Sequence, residues 1–73
     1  MIRAFIKNCV YKHENMRDIA LHVHDVRKNE TDRTFRILVD ILNVVNPKRV
    51  FRIDGGEFVV KETDLEKWKR ITI

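Results

Sequence analysis

The stretch Lys48–Arg70, KRVFRIDGGEFVVKETDLEKWKR, decides how the chain reads. Val50, Phe51, Ile53, Phe58, Val59 and Val60 are strand formers placed on either side of Asp54-Gly55-Gly56, and Asp-Gly supplies the positive φ angles that a type I′ turn needs. With Asp54-Gly55 as the turn, Phe51 faces Phe58, Val50 faces Val59 and Arg52 faces Glu57, giving aromatic, aliphatic and opposite-charge pairs. With Gly55-Gly56 as the turn, Ile53 faces Phe58 and Arg49 faces Glu62; the first register makes the better pairs. Thr63 then caps a short helix, with Glu66 three residues on as a capping box. Asp64 and Glu66 sit near its positive end, and Lys67, Lys69 and Arg70 near its negative end. The stretch is expected to form a basic hairpin followed by a helix.

Upstream, Thr31 or Asp32 caps a run in which Phe35, Leu38, Val39, Ile41, Leu42 and Val45 share a stripe, widened by Ile37 and Val44. Read at helical period, residues 31–45 form a helix with only Arg33, Arg36, Asp40 and Asn43 on its polar side, and such a helix needs cover on most faces. Asn46-Pro47 stops it, because the residue before proline is pushed out of the α region. Residues 15–28 fit two templates. As a helix, Met16, Ile19, Ala20, Val23 and Val26 share a stripe, with Asn15 as cap; as a strand, Ile19, Leu21 and Val23 alternate with His22 and His24. The helix is the preferred reading. Residues 2–12 read as a strand apolar on both faces. The expected fold is a single α+β domain over 1–73, strand-helix-helix-hairpin-helix; the alternative order is ββαββα.

The chain has 73 residues, 44% hydrophobic, and one cysteine, so its core is small and has no internal disulfide. A homodimer sharing apolar surface is the natural remedy. Its 15 basic and 11 acidic residues leave a net charge of +4, which suits an acidic partner such as nucleic acid. The start, MIRAFIKNCVYK, holds no long apolar stretch, so no secretory signal is expected, and no run is long enough to span a bilayer. The cytoplasm is the expected location.

The order helix, helix, hairpin, helix resembles a winged helix-turn-helix. Arg49–Trp68, RVFRIDGGEFVVKETDLEKW, is similar to the wing and trailing helix of small excisionase-type and MerR-like DNA-binding domains: a basic strand with Arg49 and Arg52, the Gly55-Gly56 turn, an aromatic strand with Phe58, then Asp64-Leu65 and Trp68 at a helix start. The upstream sequence departs from that pattern, since HDVRKNETDRT lacks the small-residue turn between the two helices. The resemblance implies a duplex-DNA-binding regulator or accessory factor. Lys48, Arg49, Arg52 and Lys61 would then contact phosphates. Arg33, Arg36 and Asn43 would face a groove, and Lys67, Lys69 and Arg70 would add non-specific charge.

Two other readings compete. A protein-binding modulator would use an apolar dimer or partner interface through Ile37, Val44, Tyr11 or Trp68. An RNA-binding sheet would require Phe5, Tyr11, Phe51 or Phe58 to face solvent. Trp68 itself reads as a core residue packed with Leu65. Cys9, His22 and His24 share a face only if 17–27 is a strand hairpinned onto 2–12, and with His13 their spacing matches no standard zinc pattern, so no metal or cofactor is expected. No phosphate-binding loop, nucleophile elbow or metalloprotease motif is present, and Asp64 and Glu66 are explained by capping, so no catalytic residue is expected.

Overall fold

A computed structural model describes residues 2–73 and shows an antiparallel sheet of five strands: β1 Val10–His13, β2 Ile19–Asn29, β3 Thr34–Asn43, β4 Phe51–Lys61 and β5 Trp68–Ile71, in the spatial order β4-β3-β2-β1-β5. The one helix among the described residues is a six-residue 3-10 segment, Glu62–Lys67. The α+β expectation and its winged-helix arrangement are therefore corrected, as is the ββαββα alternative, which shares with the structure the antiparallel pair of β1 and β2 but places a helix where β3 runs and a hairpin where β4 runs.

Each correction has a local cause. Residues 31–45 are so rich in apolar residues that they satisfy periods of 2 and 3.6 alike. In β3 its β-branched residues lie extended, with Phe35, Ile37 and Val39 buried on one face and Arg36 and Leu38 exposed on the other. In β2 the apparent helical stripe comes from a β-bulge. The register with β3 shifts between Val23 and Asp25, so Val23 and Val26 reach the same face three residues apart. Asp54-Gly55-Gly56 is not a turn. β4 runs straight through it, and no glycine has positive φ, which the type I′ turn required. Thr63 caps nothing: Lys61 precedes the 3-10 helix without a side-chain cap. Of the strand expected at 2–12, only Val10–His13 is extended in the sheet.

The core lies on one face of the sheet. Tyr11, Leu21, Val23, Phe35, Ile37, Val39, Val60 and Trp68 point to it, and the segment before β1 and the 3-10 helix cover it with Phe5 and Leu65. Phe5 is the hub, with edge-on contacts to Tyr11, Phe35 and Trp68 at centroid distances of 4.9, 5.8 and 5.3 Å. Asn8, at φ 69°, turns the segment back over the sheet, and the Ile6 N–H donates to the Tyr11 hydroxyl at 2.7 Å. The opposite face of the sheet carries no covering layer among the described residues. No helix there is long and apolar enough to cross a membrane.

Candidate functional site

Two features of the uncovered sheet concentrate chemistry. The first is a polar cluster at the centre of the open face. The register sets His22 directly across from Asp40, and the bulge carries His24 onto the same side, where its Nε2 lies 2.6 Å from Asp40 Oδ2. The rings of His22 and His24 stand edge to face, with centroids 5.0 Å apart. From β4, Arg52 donates its Nε–H to Asp40 Oδ1 at 2.6 Å. Arg52 holds the Asp40 carboxyl below the usual carboxylate range; the His24 contact acts in the same direction, and desolvation opposes both. Gly55 leaves room for this arrangement, because a Cβ there would fall 2.6 Å from Arg52 Nη2.

The second feature is the outer edge of β4. The two edges of the sheet differ. β5 is four residues long and carries Lys69 and Arg70, a short, charged edge that resists pairing with other chains. β4 is eleven residues long, contains no proline, and leaves Phe51, Ile53 and Val59 about half exposed or more (48, 51 and 59%). Its register with β3 shifts at Ile41/Leu42, which leaves Ile53 as the unpaired residue of a bulge. Arg52, Glu57 and Val59 project from the open face, and Phe51 and Phe58 from the core face.

The sequence-predicted nucleic-acid residues are not brought together. Lys48 and Arg49 lie in the β3–β4 connection. Arg33, at φ 55°, sits in the β2–β3 turn, and Lys61 pairs with Thr34 beside it at the other end of the sheet. Lys69 and Arg70 lie on the far edge in β5. The longest dimension of the molecule is 40 Å, so these groups form three separate sets. Arg36 pairs with Glu57 at 3.0 Å, Arg52 with Asp40, and Lys67 with Asp64 at 3.6 Å, while the side chain of Asn43 accepts the Val45 N–H. The pairs expected within a hairpin, Arg52 with Glu57 and Arg49 with Glu62, are replaced by Arg52 with Asp40 and by Lys28 with Glu62 at 3.5 Å. The aromatics of the RNA reading do not form an exposed platform: Phe5 and Tyr11 are buried, Phe58 is half-buried and only Phe51 is exposed. Trp68 is buried beside Phe5 and His13.

Reading 17–27 as a strand does set His22 and His24 on one face, but Cys9 is not with them. Its carbonyl accepts the Val23 N–H, and its thiol lies against Tyr11. Asp40, the group that completes the cluster, was assigned to the polar side of a helix. The sequence signal for the cluster was His-x-His within alternating apolar residues; the partner across the ladder becomes visible only with the register. No protein-family profile, curated protein or solved structure matches this chain.

Proposed function

We propose that this chain is a non-enzymatic protein-interaction module of the cytoplasm that assembles with a second copy of itself through the outer edge of β4. The observation that carries this reading is the self-complementarity of β4 about Gly55. An antiparallel pairing with a two-fold axis there sets Gly55 against Gly55 and Asp54 against Gly56. With Ile53 kept as the bulged residue, Arg52 then faces Glu57 of the second copy and Phe51 faces its Phe58. The bulge makes the faces agree, since Arg52 and Glu57 both project from the open face and Phe51 and Phe58 from the core face. The pairs once assigned to a hairpin become pairs between chains. Each aromatic or opposite-charge pair contributes about 0.2–1 kcal/mol, and symmetry makes each of them twice. Phe51 and Ile53 gain cover, and the exposed edge disappears into a ten-strand sheet.

The test is a charge exchange read by sedimentation over a concentration series. Wild type is expected to dimerise. Arg52→Glu alone and Glu57→Arg alone each place like charges across the axis and weaken self-association. An equimolar mixture of the two variants restores both pairs and dimerises as a heterodimer. Circular dichroism of each variant checks that it remains folded. A wild type that stays monomeric up to about 1 mM, or a mixture no better than its components, overturns the proposal.

A specific observation favours one second reading. On the open face Lys12 stands directly opposite Lys69, and once Arg27 is paired with Asp25, Arg36 with Glu57 and Arg52 with Asp40, Lys12, Lys61 and Lys69 are the surplus cations. Like charges directly opposed are destabilising unless an anion lies over them. The proposed two-fold would set both open faces on one side, making a single basic surface suited to nucleic acid. Affinity for a mixed-sequence duplex that falls steeply with salt, and falls further in Lys12→Ala with Lys69→Ala, would support it; no binding at low salt would remove it.

A further inference from the structure

We propose that His22, His24 and Asp40 form a site for a divalent transition metal ion of the zinc, nickel and copper class. One donor atom from each of the three residues lies within 4.8 Å of the other two. Tetrahedral coordination with bonds of about 2.0–2.1 Å needs donor atoms about 3.3 Å apart, which side-chain rotation of the exposed His24 and the half-buried His22 would reach. The backbone supplies the convergence. A strand places His22 and His24 on one face at a spacing of two, the bulge shifts His24 toward β3, and the ladder sets Asp40 opposite His22.

The surroundings fit a ligand set. Arg52 holds Asp40 Oδ1, which orients the carboxylate and leaves Oδ2 toward the imidazoles. Two imidazole nitrogens with one carboxylate oxygen select zinc, nickel or copper over magnesium and calcium, which take oxygen donors. Three protein ligands on an uncovered face leave a coordination position open to water or to an incoming donor. The positive charge of Arg52 opposes the ion, so the affinity expected is moderate. The three donors lie on β2 and β3, outside the β4 edge, and the two proposals share only Arg52.

The test is titration of tag-free protein with zinc chloride, followed by calorimetry, and with cobalt chloride, followed by visible absorption. Saturable binding of one ion per chain and a tetrahedral cobalt spectrum are expected. His22→Ala, His24→Ala and Asp40→Asn each lower the affinity at least about tenfold, whereas His13→Ala and Cys9→Ser leave it within about twofold. Zinc-induced shifts of the His22 and His24 imidazole signals in wild type, with His13 unmoved, give a readout that needs no variant. Absence of saturable binding, or binding that survives both His22→Ala and His24→Ala, overturns the site.

Discussion

Tyr11 shows how much one side chain carries in a core this small. Its ring packs on Phe5, and its hydroxyl accepts the N–H of Ile6, which ties the covering segment to the sheet. Tyr11→Phe keeps the packing and strands that N–H; a loss of about 1–2 kcal/mol in denaturant unfolding is expected. Burial pushes the phenol up, against the opposing pull of the Ile6 hydrogen bond. A raised folded-state pKa means stability that is full below the unfolded value and lost as pH rises through the folded one. Wild type should therefore lose more stability than Tyr11→Phe above about pH 10, the ordinary tyrosine value. Gly55 makes a different prediction. Gly55→Ala displaces the far end of Arg52, at little cost to stability because exposed ion pairs are worth about 0–1 kcal/mol. The Asp40 carboxyl signal should then titrate closer to the usual carboxylate range in NMR. None of this was legible beforehand, since Tyr11 read as interface or stacking surface and Gly55 as half of a turn.

At the level of elements, composition was readable and period was not. Pro47 does lie between two elements, β3 and β4, and the strand formers Phe51, Ile53, Phe58, Val59 and Val60 lie in one strand rather than in the two of a hairpin. What misled was irregularity. A bulge inserts one residue into an alternating pattern, so β2 counts like a helix, and a β-branched run buried on one face counts like either. Gly55 lies in the middle of β4 with an arginine packed over it, a reason that belongs to the tertiary structure. β3 stands where a buried helix is expected from the sequence: it lies between β2 and β4, with Ile37 fully buried. Ile37→Ala should cost about 2–5 kcal/mol by thermal or denaturant unfolding. Against a total of about 0.05–0.15 kcal/mol per residue, that loss removes a large share of the stability of a 73-residue chain.

For the whole molecule, strand order is what sequence reading lacked. The cations near Asp54-Gly55-Gly56 looked contiguous because a hairpin would fold them together; a straight strand spreads them along the sheet. The same straightness creates the exposed edge. If β4 pairs with a second copy, Ile53→Lys should abolish dimerisation without unfolding the chain. Amide exchange over Phe51–Val59 should slow as wild-type concentration rises, while β5 amides stay unchanged.

The placement of β1 has a consequence for how the chain is made. β1 lies between β2 and β5, so the first strand of the sheet is completed by the fifth, distant from it in sequence. A chain cut after Lys67 keeps four strands but lacks the one bearing Trp68, and with it the ring that packs on Phe5 and His13. Folding is therefore expected to wait for β5, and truncation after Lys67 should yield a polypeptide that proteases clear rather than a shortened working domain.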